Sequence, residues 1–233
     1  MNSEKILNVL NKLEVKEESK IDLENLKREL QADILTNGKI KSGILATFKK
    51  YVKQNQKDGR PSFDHIFKSR NGNYVFTNGY FLLDWGSNKE NIPAELRAYI
   101  NEEETSCNLD FDTLEDKITD KEAKIKIEEI EKIVKYNKFR CKEAEFYQEK
   151  QSLLADINNE VYFNPKYLLD IIKITNFKEK EINVKYRINI SPICFEINNV
   201  KCILLPVRLT TDNHIKQQRE EKENFENLQK VED

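Results

Sequence analysis

Apolar residues recur with two different periods along the chain, and the changes of period predict the order of elements. Over residues 3–35 they recur at i, i+3, i+4 and i+7, which is typical of two amphipathic helices. Asn37-Gly38 ends the second one, because both residue types tolerate the positive φ of a helix C-terminus. These helices are either an extension packed on the core or a partner-binding or dimerisation arm. A third amphipathic helix is predicted over Ser42–Gln54.

Three strands follow the third helix. They are predicted over Ser62–Lys68, Tyr74–Phe76 and Tyr80–Trp85. Asn71-Gly72 predicts a tight hairpin between the first two, since its turn requires positive φ. Thr77-Asn78-Gly79 predicts a second turn.

The same order of elements returns near the end of the chain. Val161–Phe163 is predicted as a strand, and Asn164-Pro165 as a helix cap followed by a first-turn proline. The remaining elements are a helix and three strands, predicted over Lys166–Thr175, Glu181–Ile188, Pro192–Ile197 and Val200–Leu205. One structural unit is therefore expected twice.

The segments between and after these units are less regular. Asn91–Asp120 is predicted as loop with a short helix, and Ile125–Tyr147 as a helix running into an irregular or strand segment. From Thr210 onward the chain is almost wholly polar, which predicts a frayed helix or disorder.

Cysteine usage indicates a reducing compartment, so we expect a cytoplasmic protein. The chain has four cysteines, and its N-terminus lacks the long apolar core of a signal peptide. If Asn198-Asn199 closes a two-residue hairpin, Phe195 faces Cys202 and Cys194 points to the opposite face of the sheet. A disulfide between these cysteines is then geometrically poor, and both are predicted to be small buried residues.

Catalytic, cofactor and membrane chemistry find little support in the sequence. The two histidines, His65 and His214, stand in unrelated contexts, and Cys-x-x-Cys, GxSxG and Gly-rich phosphate motifs do not occur. His65 is predicted to be a strand residue rather than a general base. No apolar stretch approaches the ~20 residues that cross a bilayer. We therefore expect no metal, no cofactor, no membrane and no enzymatic activity, and an enzyme is the least favoured class.

Charge changes this picture because it is divided along the chain. Charged residues make up 34% of the sequence and the mean hydropathy is −0.73, yet the net charge is only −2. Residues 38–70 hold nine basic and two acidic residues, whereas residues 101–130 hold eleven acidic residues and four lysines. Lys49, Lys50, Lys53 and Lys57 form a basic stripe on the third helix that suits either a phosphate backbone or solvent.

Two groups of motifs resemble bacterial DNA polymerase III beta subunits, the sliding clamps. VYFNPKYLLDIIK resembles the family's strand-into-helix segment, and SPICFEI followed by KCILLPVRL resembles its closing hairpin. ILATFKKYVKQNQKDGRPSF and NGNYVFTNGYFLLDW are similar to the family's other recurring half. The family usually has Thr-Asp-Gly-(Tyr/His)-Arg-Leu-Ala there, so Asn78 and Phe81 are departures. The resemblance covers about 44–85 and 162–209, roughly two fifths of the chain.

The resemblance implies an α+β, clamp-like (DNA clamp) fold. It would contain repeated βαβββ units, with helices on one face of antiparallel sheets and an added N-terminal helical extension. The predicted organisation is a helical extension (1–37), a first clamp-like half (38–105), a charged linking segment (106–158), a second clamp-like half (159–209) and a polar, flexible tail (210–233).

The resemblance also implies two binding surfaces. Clamps capture short linear motifs of polymerases and repair proteins in an apolar cleft, and the matching residues here are Thr77, Gly79, Tyr80, Leu82, Asn164, Tyr167, Ile190, Pro192, Leu205, Pro206, Val207 and Arg208. Clamp helices meet duplex phosphates without reading bases, and the candidates here are Lys49, Lys50, Lys53, Lys57, Lys166 and Lys173.

The implied function is a sliding-clamp-like accessory factor of DNA replication. It would tether DNA polymerase or other motif-bearing partners to duplex DNA as a homo-oligomer, and its short layout suggests a phage or mobile-element origin. The chain is too short for the three domains of a bacterial clamp. The alternative is an interaction module that forms no ring and acts as an adaptor or competitor of the replication clamp.

Overall fold

A computed structural model describes residues 3–13, 16, 19–40, 42–60, 63–104, 111, 121–143 and 152–232. Within these ranges the α-helices are α1 (Ser3–Leu10), α2 (Lys20–Leu35), α3 (Ser42–Lys57), α4 (Ile127–Glu143), α5 (Pro165–Ile174) and α6 (Asp212–Glu232). The strands are β1 (Ile66–Lys68), β2 (Tyr74–Thr77), β3 (Phe81–Asp84), β4 (Ile100–Glu104), β5 (Lys121–Lys126), β6 (Ala155–Ile157), β7 (Val161–Phe163), β8 (Glu181–Tyr186), β9 (Ile193–Ile197) and β10 (Val200–Leu204). Two 3₁₀ helices cover Lys89–Asn91 and Ala94–Tyr99.

Two three-stranded meanders join in one sheet, and this is the main feature of the fold. The eight strands lie in the order β4-β1-β2-β3-β10-β9-β8-β5, while β6 and β7 form a separate pair. The meanders β1-β2-β3 and β8-β9-β10 meet at a β3–β10 seam, where Phe81 pairs with Leu204 and Asp84 pairs with Lys201. Neighbouring strands are antiparallel except β4, which runs parallel to β1. The predicted α+β class is confirmed.

The helices cover one face of the sheet. The larger hydrophobic cluster combines buried residues of α2, α3, α4 and α5 with alternate strand residues such as Phe81 and Leu204. The intervening strand residues face the other way and form a smaller cluster that includes Leu82 and Ile203. This alternation follows from the two-residue period of a strand. Helices α3 and α5 pack side by side, one from each half of the chain.

The closing hairpin follows the predicted register. Asn198 and Asn199 both have positive φ, and Cys202 lies opposite Phe195. Cys202 belongs to the larger cluster and Cys194 to the smaller one, so the two thiols lie on opposite faces of the sheet. Both cysteines are buried, as predicted, and neither forms a disulfide with another described residue.

Several boundaries differ from the prediction, and the first concerns β1. This strand begins only at Ile66, so His65 precedes it rather than lying within it. The His65 Nδ1 lies 2.8 Å from Asp64 Oδ1 in the turn that leads into the strand. The predicted start at Ser62 lies outside the described residues.

Charged edge strands account for most of the other differences. β4 lies within the segment predicted as loop and short helix, and β5 directly precedes α4. Their sequences, INEEE and KEAKIK, are rich in charge because an edge strand exposes much of its surface to water. The predicted continuation of the α4 segment to Tyr147 lies outside the described residues.

The polar C-terminal segment forms helix α6 and packs on α4. The rings of Tyr136 and Phe225 meet edge to face at 5.4 Å, and the Arg140 guanidinium pairs with Glu221 at 3.0 Å. These few contacts recur about once per helical turn in an otherwise polar sequence. Across the described residues, no helix combines the length and the apolar character needed to cross a bilayer.

Candidate functional site

Three adjacent central strands have their termini at the same end of the sheet, and several of the predicted cleft residues lie there. Phe81, Leu204 and Ile193 pair across β3, β10 and β9. Continuing that register by one residue places Tyr80, Leu205 and Pro192 in a row. The Leu205 N–H donates a hydrogen bond of 2.9 Å to the Tyr80 carbonyl, which extends the seam by one residue.

The Tyr80 ring stacks on the Tyr167 ring. Their centroids are 5.2 Å apart and their planes differ by 12°. The centroid of the Tyr167 ring, on α5, also lies 6.1 Å from that of Phe81 and 6.2 Å from that of Tyr51 on α3. Burial, with smaller contributions from Tyr80 and Asp170, raises the pKa of the Tyr167 hydroxyl. The tyrosine stack therefore joins the first turn of α5 to the turn before β3.

The turn before β3 is held by its own polar side chains. The buried Thr77 hydroxyl donates to the Phe81 carbonyl at 2.7 Å and accepts from the Gly79 N–H at 3.0 Å. The Asn78 Oδ1 accepts from the N–H groups of Tyr80 and Phe81, each at 2.9 Å. Thr77 thus supports the turn rather than lining an open surface. The amide oxygen of Asn78 accepts backbone hydrogen bonds as a carboxylate oxygen would.

Gly79 and Arg60 fit together closely at this turn. Gly79 has a φ of +84°, and a Cβ built on it would lie 2.5 Å from the Arg60 Nη1. The same Nη1 donates to the Asn78 carbonyl at 3.2 Å. Sequence reasoning did not single out Arg60, because nothing in the local pattern indicates that it folds back over the turn.

Phe81 stands where the motif that this segment resembles usually has an Arg. The side chain is buried, and its ring meets that of Tyr51 edge to face at 4.9 Å. The apolar side chain at this position therefore belongs to the hydrophobic core.

The remaining predicted cleft residues divide into groups. Leu205 and Val207 are 40% and 37% exposed, and the Val207 N–H donates to the Tyr162 carbonyl at 2.7 Å. Pro206 and Arg208 lie in the same segment, and Ile190 is exposed in the loop before β9. Asn164 caps α5 by accepting from the Lys166 N–H at 3.0 Å. Leu82 is buried in the cluster on the opposite face of the sheet.

We define the tyrosine surface as Tyr80, Tyr167, Pro192, Leu205 and Val207.

Two of the predicted DNA-binding lysines form ion pairs. Lys49 pairs with Glu29 of α2, and the Lys50 Nζ lies 2.9 Å from the Asp170 Oδ2. The predicted residues Lys53, Lys57, Lys166 and Lys173 are exposed on α3 and α5, and no ion pair joins them to another described residue. Each of these two adjacent helices therefore carries two exposed lysines without an ion-pair partner among the described residues.

The side chains that could bind a metal are dispersed over the described part of the chain. There, no cluster of three or more His, Cys, Asp or Glu side chains is placed to hold a metal ion.

Comparisons with known proteins found a likeness among solved structures. No protein-family model and no curated protein sequence matches the chain. A crystal structure from Eubacterium rectale, of a protein provisionally named a DNA polymerase III beta subunit, is similar to it. The identity is 12% and the TM-score 0.39, over 59% of this chain and 54% of that one. The chain thus matches about half the length of that protein.

Proposed function

We propose that the protein is a clamp-like accessory factor of DNA replication that captures short peptide segments of its partners on the tyrosine surface. The stack of Tyr80 on Tyr167, beside the Leu205–Tyr80 backbone hydrogen bond, carries this proposal. These residues come from the three separate motifs that resemble the clamp family, and the fold brings them to one place.

The chemistry of this surface suits a peptide with apolar side chains. Aromatic rings offer large apolar area at low entropic cost, and Tyr80 remains 43% exposed beside the exposed Leu205 and Val207. Backbone hydrogen bonds to Tyr80 and Tyr162 hold Leu205 and Val207 in place, so their side chains can pack on a bound peptide beside the tyrosine rings. A rigid turn supports the surface through Thr77 and Asn78.

Peptide binding tests the proposal directly. A fluorescently labelled peptide carrying a polymerase clamp-binding motif is titrated with the wild-type chain, and binding is followed by anisotropy. Tyr167→Ala and deletion of residues 205–209 are each expected to weaken binding at least about tenfold, which is about 1.4 kcal/mol. Phe139→Ala removes an exposed aromatic ring outside the tyrosine surface and serves as the matched control. Unchanged affinity for Tyr167→Ala with a folded protein would refute the peptide site.

Tethering to DNA is the second part of the proposal. The four exposed lysines on α3 and α5 would contact phosphates, and such binding weakens steeply with salt. Sedimentation velocity with and without nicked circular DNA, at two salt concentrations, measures oligomer formation and DNA association together. Replacement of Lys53 and Lys57 by Gln is expected to lower DNA affinity. Lys49→Gln is the control, because that lysine already pairs with Glu29.

An interaction module that forms no ring is the second candidate. It is favoured by the observation that both clamp-like halves contribute strands to one eight-stranded sheet. Such a module would act as an adaptor or as a competitor of the replication clamp. It predicts a monomer that binds the motif peptide equally well with and without DNA. A defined oligomer retained on circular DNA would favour the tethering factor instead.

A further inference from the structure

A groove runs along the surface between helices α4 and α6. The two helices meet at the ring pair of Tyr136 and Phe225, and both of these residues line a groove of about 330 Å³. Its other side chains come from the same two helices. We call it the helix groove and define it by Lys132, Lys135, Tyr136, Phe139, Phe225 and Leu228.

The apolar walls of the helix groove are open to solvent. Phe139 is 56% exposed and Leu228 is 50% exposed, one on each helix. On each helix the two apolar groove residues are three positions apart, so they lie on one face. Large apolar side chains that are exposed together mark a site of interaction. Two helices with a shared apolar groove offer the packing surface of a small helical bundle, into which the ridge of a third helix fits.

The charge of the helix groove has one sign. Lys132 and Lys135 line it, and no acidic residue does so among the described residues. Lys132 pairs with Glu128 at 3.0 Å, but both side chains of this pair are exposed and such pairs contribute little. Lys135 is exposed and forms no ion pair with another described residue. The α4 side of the groove is therefore positive, whereas its α6 side is uncharged.

This positive side follows from a division of charge within α4. Residues 127–131 include three glutamates and no basic residue, whereas residues 132–140 include four basic residues and no acidic one. The groove lies along the second part. Of the four basic residues there, Arg140 already pairs with Glu221 of α6 at 3.0 Å.

Charge also decides between a second copy of the chain and an acidic partner. Two copies that met symmetrically through this groove would bring the lysines of both into one interface, where like charges repel. An acidic helix would instead place carboxylates beside Lys132 and Lys135. Since Lys132 and Phe139 are seven positions apart, the groove is about 10 Å long and takes roughly two turns of a partner helix.

We propose that the helix groove binds an acidic amphipathic helix of a partner protein. Apolar residues of that helix, recurring at i, i+3, i+4 and i+7, would pack on Phe139, Phe225 and Leu228. Carboxylates that flank its apolar stripe would face Lys132 and Lys135. The site shares no residue with the tyrosine surface and does not depend on the proposed replication function.

Three synthetic peptides test the proposal. Each has about 18 residues, enough to populate a helix in water, and each carries the same leucines at i, i+3, i+4 and i+7. The residues that flank the leucines are Glu, Gln or Lys. Fluorescence anisotropy follows the binding of each labelled peptide to the full chain. The Glu peptide is expected to bind at least about tenfold tighter than the other two, and less tightly as salt is raised. Equal affinities for all three, or no saturable binding below about 1 mM, would overturn the proposal.

Reversal of one charge separates a specific contact from an effect of net charge. Lys135→Glu is expected to lower the affinity for the Glu peptide at least about tenfold and to raise that for the Lys peptide, and loss of folding cannot produce this exchange. Lys12→Glu changes the net charge equally at an exposed position just beyond α1, and both affinities should stay within about twofold. Equal effects of the two substitutions would refute the contact.

The apolar wall is tested by Leu228→Ala, which is expected to weaken binding of the Glu peptide at least about fivefold. Leu26→Ala is the matched control, because Leu26 is a similarly exposed leucine on α2. Unchanged affinity in Leu228→Ala would contradict the site. Sedimentation velocity without peptide tests the competing occupant. Leu228→Ala and wild type are expected to sediment alike, and an association of the wild-type chain that Leu228→Ala abolishes would assign the groove to a second copy and overturn the proposal.

Discussion

The Tyr51 hydroxyl donates a hydrogen bond of 2.6 Å to the Asp170 Oδ2 and thereby joins α3 to α5 across 119 positions of sequence. The same oxygen accepts from the Lys50 Nζ at 2.9 Å. Burial, reinforced by the hydrogen bond and charge of Asp170, raises the pKa of Tyr51 far above its ordinary value, so the hydroxyl stays a donor. This contact lies next to Tyr167 and fixes the helix pair beneath the tyrosine surface.

Tyr51→Phe is expected to destabilise the protein by about 1.5–3 kcal/mol, because it leaves a buried carboxylate without its hydroxyl donor. Urea denaturation at pH 7 measures the change. Lys50→Gln is the comparison, since Lys50 is considerably exposed and its ion pair should contribute less than about 1 kcal/mol. A loss for Tyr51→Phe no greater than that for Lys50→Gln would contradict this assignment.

Gly79→Ala is expected to cost about 1–2 kcal/mol, since the left-handed conformation at φ +84° is unfavourable for a residue with a Cβ. The Arg60 guanidinium adds to this cost because it occupies the space of that Cβ. In an Arg60→Ala background the penalty should fall but not vanish, since the backbone conformation remains. Thermal unfolding of the four proteins in this double-mutant cycle tests the point. A penalty unchanged by Arg60→Ala would show that the guanidinium moves aside freely.

The ionisation of Asp64 makes the stability of the protein depend on pH in the acidic range. Burial opposes its ionisation, but hydrogen bonds from His65 and Gln56 and the charge of Arg28 outweigh it and lower the pKa of Asp64 from its ordinary value. A carboxyl with a lowered folded-state pKa stabilises the protein above its unfolded-state pKa, and this contribution is lost as the pH falls through the folded-state value.

Asp64→Asn should therefore be less stable than wild type by about 1–2 kcal/mol at pH 7, and this difference should shrink as the pH falls below about 4. Urea midpoints measured at pH 7 and pH 3 give the comparison. Asp58→Asn, an exposed carboxylate at the end of α3, is the control and should change stability little at either pH. A difference between Asp64→Asn and wild type that is independent of pH would contradict the ionic role.

Cys202 is expected to be unreactive in the native protein. Burial, with smaller contributions from Asp84 and Glu196, raises the pKa of its thiol well above the ordinary value, so almost no nucleophilic thiolate forms at pH 8. Iodoacetamide labelling followed by peptide mass spectrometry should modify Cys202 in urea and leave it unmodified without urea. Labelling at similar rates in both conditions would contradict the buried placement.

Short sequence patterns predicted those elements whose geometry depends on residues close together in the sequence. The Asn198-Asn199 hairpin, the facing of Cys194 and Cys202, and the Asn164 cap all follow from turn chemistry and the two-residue strand period. The helix followed by three strands in each half was also predictable, because each half carries its own hydrophobic pattern. The predicted βαβββ order holds only for the second half, since no described strand precedes α3.

Contacts between distant segments were not predictable in this way. The charged edge strands β4 and β5 are stabilised by neighbours rather than by their own composition. The pairing of Lys50 with Asp170 could not be predicted, because the sequence around a helix-surface lysine does not indicate which distant residue it will pair with. In the candidate site, Tyr80, Tyr167 and Leu205 were indicated by resemblance. Their stacking and hydrogen bond depend on a tertiary arrangement that no local pattern encodes.

The β3–β10 seam has a consequence for the protein during its synthesis. β3 leaves the ribosome long before Val200–Leu204, so its hydrogen-bonding edge is without its native partner while most of the second half is translated. Nascent chains stalled before Val200 should therefore stay protease-sensitive and bind chaperones. Those extended far enough beyond Leu204 to bring β10 out of the exit tunnel should become protected in one step, because closing the seam completes both halves together.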